Sequence, residues 1–454
     1  MRLLRWLYPG LRIKRWLALF AVAVVFLGFA VAFSLNPGAV PALAAAVARA
    51  LRRPDGTMVP RWVLALAFGL AGLAAAMVAL RGVALSVTEA LAPAATGSLG
   101  EFLYWRRQVA RGPRIVAIGG GTGLPVLLRG LKAYTGNLTA VVTVGDDGGS
   151  SGRLRGELGI LPPGDIRNCL LALADTEPLM EELFQHRFQR GSLAGHSVGN
   201  LLLGGLSEVT GDFVEAVAAA SRVLAVRGRV LPSTVEHVTL VAEMEDGRVV
   251  RGETAIAAAA GRVRRLRLDP EQPRAVPQAV AAILEADVVV IGPGSLYTSL
   301  LPNLCLQELR DALHRSHALR LFVVNVMTQP GETDGYTAAD HLAALQAHIG
   351  RPGVDGVLVH DGHIPAERLE PYRAQGAGPV AAAPDRCAAL GVRVLARNLV
   401  RGDGLVRHDP ELLAAAVVEA ALEHLGPPNT RNLLDHYLLA ERLRQGRRDC
   451  GSGG

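Results

Sequence analysis

The sequence predicts an α/β fold, a mostly parallel sheet with an inserted β-hairpin, preceded by two transmembrane helices. Three observations predict it. Residues 115–118, 138–144, 288–291 and 321–324 are short apolar runs of the kind that form strands covered on both faces. Each is followed by a loop rich in glycine, hydroxyl or amide residues. Residues 16–35 and 62–80 are uncharged and overwhelmingly apolar.

The two apolar runs come first. At about 1.5 Å per helical residue each reaches about 30 Å, the hydrocarbon thickness of a bilayer. Arg2, Arg5, Arg12, Lys14 and Arg15 precede the first and favour a cytoplasmic amino terminus, although Arg49, Arg52, Arg53 and Arg61 between the runs oppose that bias. Two crossings would return the remainder to the same side, so the expectation is a multi-pass protein of the cell membrane with its large domain in the cytoplasm. The first run is long for a signal peptide and no cleavage site is evident. A pair of buried core helices is the alternative. The expected division is a membrane region at 1–90, a linker at 91–112, a nucleotide-binding domain at 113–425, and a carboxyl-terminal helix and disordered tail at 426–454.

The first strand, 115–118, runs into Gly119, Gly120, Gly121, Thr122 and Gly123, and helical spacing follows at 124–132. Glycine lets an anion approach the backbone, and a helix start offers free N–H groups and a positive dipole end, so a phosphate is the natural occupant. The loop matches neither the strict dinucleotide G-x-G-x-x-G nor a P-loop. A plain tight turn is the alternative, weakened by a second loop of the same kind after 288–291, where Gly292, Gly294, Ser295, Tyr297 and Thr298 stand. Such strand ends bind ligands in open α/β sheets.

The second strand ends in Asp146 and Asp147, candidates for a ribose or base contact or for Mg²⁺ alongside phosphate oxygens; helix capping is the alternative for each. Asp165, Arg167 and Asn168 share one turn at a helix start, where Asp165 either caps the helix or joins a site with Arg167. His196 and Asn200 lie one helical turn apart and can face one ligand; a buried structural histidine is the alternative. Asn325 opens a polar strand end, 325–333, that forms a third candidate wall. Residues 236–254 alternate around Glu245, Asp246 and Gly247, the pattern of a hairpin. A helix follows His408, Asp409 and Pro410 to 425, and another amphipathic helix is expected at 431–445.

In this order GGGTGL, DDGGSSGRLR, PPGDIRN, GHSVGNLLL, GPGSLYTS, NVMTQPGET and RHDP resemble the YvcK family, bacterial proteins called gluconeogenesis factors that belong with CofD in one superfamily. The resemblance runs from residue 114 to residue 425. It implies a CofD-like, Rossmann-related fold that binds a nucleotide sugar of the UDP-N-acetylglucosamine type, in proteins linked to cell shape, cell-wall synthesis and carbon metabolism. By the same resemblance the GGGTG and GPGSLYTS loops become diphosphate and uridine contacts, Asp146 and Asn200 nucleotide contacts, and Tyr372 and Arg407 part of the nucleotide-sugar region. Gly145 and Gln375 depart from the family pattern, which commonly has alanine and an acidic residue there. CofD itself transfers a phospholactyl group using Mg²⁺.

No Ser-His-Asp or Cys-His arrangement is readable, which favours a binding and regulatory protein over an enzyme. The alternative is a CofD-like, Mg²⁺-dependent phospholactyl or phosphoryl transferase. No cofactor is required by the first reading. Its expected partners are a UDP-sugar, the membrane and cell-wall enzymes; a homo-oligomer is compatible with it. The net charge of +6 invites a nucleic-acid reading, yet Lys14 and Lys132 are the only lysines, a skew that speaks for coding bias rather than a binding stripe. Cys169, Cys305, Cys387 and Cys450 have no paired spacing, so neither zinc nor a disulfide framework is indicated.

Overall fold

The computed structural model describes residues 14–35, 60–91, 112–175, 178–259, 261–402 and 404–425. The chain divides into two units, Met1–Arg107 and Gln108–Gly454.

The first unit contains two helices, Lys14–Leu35 and Arg61–Leu91. The second continues past residue 80, where its apolar run ends, so the helix is longer than the hydrophobic stretch that announced it. The two pack closely. Phe68 lies against Phe26, Phe29 and Phe33 at ring separations of 5.7, 5.5 and 5.9 Å, and a Cβ at Gly72 would meet Leu27 Cγ at 2.9 Å. Trp16 Nε1 donates to Ser86 Oγ at 3.1 Å. The stretches Lys14–Ser34 and Trp62–Val83 are long and apolar enough to cross a membrane, and only 6% and 17% of their most apolar windows are buried. Core helices of a soluble domain bury far more of their apolar surface.

The second unit is built on seven parallel strands: β1 (Ile115–Gly119), β2 (Leu138–Val142), β3 (Arg229–Pro232), β7 (Val288–Ile291), β8 (Leu319–Val323), β9 (Gly356–His360) and β10 (Arg393–Arg397). Their order across the sheet is β10-β9-β8-β7-β1-β2-β3. β1, β2 and β7 are buried along their whole length, as continuous apolar runs require in a sheet covered on both faces. β1 pairs with β2 from Ile115↔Leu138 to Gly119↔Val142, and with β7 from Ile115↔Val288 to Ile118↔Ile291. The chain thus leaves β1 toward β2 on one side and later returns to lay β7 on the other. That reversal opens a crevice beyond the carboxyl ends of β1 and β7, the expected place for a ligand.

The inserted hairpin is present as β4 (Thr239–Met244) and β5 (Val249–Arg251) around Gly247, which has φ +86°. It carries a third strand, β6 (Val263–Asp269), giving a small antiparallel sheet ordered β5-β4-β6. The helix after RHDP spans Pro410–Leu425, and Asp409 Oδ1 caps it by accepting from the amides of Glu411 and Leu412 at 3.0 and 2.9 Å. The expected linker at 92–111 and the helix at 431–445 lie outside the described residues.

Candidate functional site

A cavity of about 370 Å³ opens at the tips of β1, β7 and β8 and is closed by residues 372–377 and 406–408. The β1 tip supplies Gly121, Thr122 and Gly123. The helix that begins there, Gly123–Leu131, has no side-chain cap, and among the described residues nothing accepts from the amides of Thr122 and Gly123. Its open positive end therefore faces the cavity. Glycine is needed at 123 because a Cβ would lie 2.5 Å from Pro293 O, where the β7 loop crosses.

The β7 loop is held by the β8 end. Asn325 Oδ1 accepts from Gly294 N at 3.2 Å while its Nδ2 donates to Gly294 O at 2.9 Å, and Gln329 Nε2 donates to Ser295 Oγ at 2.6 Å. The Gly294 amide is thereby committed to Asn325, which leaves the Thr122 and Gly123 amides with the hydroxyls of Ser295 and Ser299 as the donors lining this end of the cavity. Arg407 faces this set from the closing segment and meets no carboxylate within 4.0 Å among the described residues. Tyr372 holds that segment: its hydroxyl accepts from Val406 N at 2.8 Å. Val326, Met327, Leu369, Val400 and Val406 form a small apolar cluster separate from the main core, and Val326, Met327 and Val406 of it line the cavity. His408, next to Arg407, is buried, and burial followed by the neighbouring His360 pushes its pKa down to about 4, so the ring is neutral.

On the other side of the β1 tip lies a cluster of polar and ionisable side chains. Asp165 Oδ2 accepts from Gly121 N at 2.6 Å. Asp165 is the second residue of the Gly164–Leu173 helix, so it bridges to the glycine loop instead of capping its own helix. Burial, and then the charge of Asp146, raise its pKa to about 6 against the opposing Gly121 hydrogen bond. Glu253 arrives from the hairpin; burial, with Asp146 and Asp165 beside it, holds its carboxyl well above the ordinary range. Asp146 Oδ1 accepts from Gly148 N at 2.9 Å. Asp147 turns elsewhere and binds the amide and hydroxyl of Thr254 at 3.0 and 2.7 Å. The adjacent pair Asp146 and Asp147 therefore does not converge on one ligand. Among the described residues no group of three or more His, Cys, Asp or Glu side chains is disposed as a metal centre.

The sequence candidates thus fall into three sets. Gly121, Thr122, Gly123, Gly294, Ser295, Asn325, Tyr372 and Arg407 line the cavity. Asp146, Asp147, Asp165, Asn168, His196 and Asn200 do not line it; all but Asp147 belong to the polar cluster, where His196 Nδ1 and Asn200 Nδ2 both meet Ser150 Oγ at 3.0 Å. Gly119, Gly120, Gly292, Tyr297 and Thr298 are buried and do not line the cavity. Tyr297 is 1% exposed, with its hydroxyl on Tyr336 and on Val263 O, and Thr298 donates to Glu332 Oε1 at 3.0 Å. A π-helical turn at Leu296–Leu300 buries both side chains, which corrects the expectation that they touch the ligand. Val126, Val406 and His408 in the cavity, and Glu253 beside Asp146 and Asp165, were not anticipated.

The profile of the family described as 2-phospho-L-lactate transferase CofD matches residues 115–400. The chain is 48% identical over 426 residues to a putative gluconeogenesis factor of Nostoc sp., covering 91% of this chain and 92% of that protein. It is 50% identical over 313 residues to the gluconeogenesis factor of Bacillus subtilis, covering 68% of this chain and 99% of that one. A crystal structure of a UPF0052-family protein from Bacillus halodurans superposes with a TM-score of 0.66 at 48% identity, over 67% of this chain and 98% of its own. The parallel sheet, the glycine-lined crevice at its order reversal and these similarities agree, and the chain belongs to the CofD family, among the relatives named gluconeogenesis factors.

Proposed function

We propose that this protein binds a nucleotide sugar of the UDP-N-acetylglucosamine type and regulates cell-wall synthesis, cell shape and carbon metabolism, anchored in the membrane by its two apolar helices with the large domain in the cytoplasm. The observation that carries the reading is the pair of unpaired amides at Thr122 and Gly123 facing Arg407 across one cavity, a donor set suited to a diphosphate. The volume of about 370 Å³ lies within the usual range of small-molecule pockets. The apolar wall of Val326, Met327 and Val406 offers a surface for a base or sugar face. Cell-wall enzymes are the partners this role calls for. Native mass spectrometry of the protein as purified, followed by calorimetry with UDP-N-acetylglucosamine, tests it. A retained uridine nucleotide sugar is expected; no uptake of it or of any uridine nucleotide refutes it.

A second reading, a phospholactyl or phosphoryl transferase, draws on the description of the matching family and on the carboxylates Asp146, Asp165 and Glu253 beside the glycine loop. Mg²⁺ would supply charge neutralisation between a phosphate and those carboxylates. Asp146 and Asp165 are the residues that would hold it, with phosphate oxygens completing the shell. That reading expects Mg²⁺-dependent turnover lost in Asp146→Asn. Tight binding with no product from any plausible acceptor refutes it.

A further inference from the structure

Glu332 stands on the turn after β8, is 4% exposed and does not line the cavity. The turn that carries it is tightly bonded: Glu332 N and Thr333 N both donate to Gln329 O, at 3.1 and 2.9 Å, and Thr333 Oγ1 accepts from Gln329 N at 2.9 Å. Glu332 Oε2 has no hydrogen-bond partner among the described residues. Burial raises the pKa of the carboxyl, against the Thr298 hydroxyl and the amides of Tyr297 and Thr298. A carboxyl buried with so little compensation is costly. Its neighbours are in the loop after β7, which forms one wall of the cavity.

Glu332 Oε1 accepts from Thr298 Oγ1 at 3.0 Å. The amides of Tyr297 and Thr298 have no backbone acceptor among the described residues, and they favour the ionised form of the same carboxyl, as N–H groups directed at it do. Tyr297 and Thr298 are the second and third residues of the π-helical turn Leu296–Leu300. Orphan amides at those positions are ordinarily taken by the side chain of the residue before the helix. That residue is Ser295, of a type favoured for the task, yet its hydroxyl makes no cap bond. It accepts instead from Gln329 Nε2 at 2.6 Å, and Ser295 lines the cavity. The carboxyl of Glu332 fills the capping role from a neighbouring loop, and the serine is released from it.

We propose that Glu332 is a positioning residue of the cavity: by capping the π-helical turn in place of Ser295, it keeps the Ser295 hydroxyl turned to the ligand. Gln329 donates to Ser295 Oγ, and among the described residues that oxygen donates to nothing, so its O–H is left for an anion. The ligand's identity rests on the nucleotide-sugar reading, whereas the cap is a property of the free protein. Without the carboxyl, Ser295 turns back to accept from the Thr298 amide, as an ordinary cap does, and the cavity loses a donor.

Calorimetry with UDP-N-acetylglucosamine on the full-length protein in detergent micelles reads the effect on binding, and hydrogen exchange of the same protein without ligand reads the cap. Glu332→Ala should weaken binding about tenfold, the worth of one hydrogen bond to a charged group. Ser295→Ala should weaken it to a similar extent. Glu332→Ala added to Ser295→Ala should then cost less than about twofold more, because the hydroxyl it positions is gone, whereas a purely structural loss would add in full. In the free protein the Tyr297 amide should exchange at least about tenfold faster in Glu332→Ala than in the parent, with β1, β2 and β7 unchanged. If Glu332→Ala does not fold, Thr298→Val and Thr298→Ser take its place. The first removes the hydroxyl that holds the carboxyl and should weaken binding about threefold or more, while the second keeps it and should bind like the parent. A parent that binds no uridine nucleotide refutes the nucleotide-sugar reading, and exchange at Tyr297 then decides the cap by itself. Full additivity of Glu332→Ala with Ser295→Ala, or Tyr297 exchange unchanged in Glu332→Ala, overturns the proposal.

Discussion

Asp165 is a carboxylate that the fold holds at an energetic disadvantage, and replacing it by asparagine should stabilise the protein in a pH-dependent way. Its folded pKa of about 6 lies above the ordinary 3.8, chiefly through burial and then through Asp146. The folded state therefore keeps the proton more tightly than the unfolded chain. The stability this provides is complete below pH 3.8 and is lost as pH rises through about 6. At about 1.4 kcal/mol per tenfold change in affinity, the ionised side chain costs about 3 kcal/mol at neutral pH. Asparagine removes the charge yet keeps an oxygen to accept from the Gly121 amide. For a domain of this size the expected gain in Tm for Asp165→Asn is about 5 °C at pH 7.5, falling to about a third of that near pH 4.5. Differential scanning calorimetry of both proteins in the same detergent across that range measures it. A variant less stable than the parent at every pH, or a difference that does not vary with pH, would refute the reasoning.

Arg407→Ala should weaken nucleotide-sugar binding by about 10- to 100-fold, the worth of a charge-assisted hydrogen bond to phosphate, with Tm unchanged, as read by calorimetry. Tyr372→Phe leaves the Val406 amide without its 2.8 Å acceptor and loosens the segment bearing Arg407; the expected loss is about 1 kcal/mol of binding, roughly fivefold. Asn303 donates to Gly119 O at 3.1 Å and Ser299 O at 2.9 Å from a fully buried position, so Asn303→Ala should cost about 2 kcal/mol of stability by removing two buried hydrogen bonds, Gly119 O keeping the Thr143 amide, seen as a lower midpoint in urea. Gly123→Val drives a side chain into Pro293 O and should abolish ligand uptake in native mass spectra.

The parallel sheet was legible because strands buried on both faces must be continuously apolar, and β1, β2 and β7 are; the glycine loops at their ends followed from the same runs. β3, β6, β9 and β10 escaped notice: VRRLRLD of β6 interleaves arginine with apolar residues, and RVLP, GVLVH and RVLAR carry only two or three apolar residues between polar or turn-forming ones, weaker signals than a longer apolar run. The cavity's β1 and β8 walls were readable as loops, but their division of labour was not. Tyr297 has the chemistry of a ligand contact, and only the local π-helical winding turns it inward onto Tyr336. Glu253 joins Asp146 from more than a hundred residues away, a meeting set by the hairpin's docking that no local pattern records. His196 and Asn200 were paired by helical spacing, yet the helix begins at Val198 and His196 lies before its cap; the two meet instead at Ser150, from a different helix.

Arg407, His408 and Asp409 are consecutive, and Asp409 caps the Pro410–Leu425 helix. That helix packs along Gly123–Leu131 so tightly that a methyl group at Gly130 would lie 1.9 Å from Pro410 O. The contact ties the start of the second rod, three residues after Arg407, to the far end of the rod that begins at the unpaired amides, so two walls of the cavity share one rigid brace.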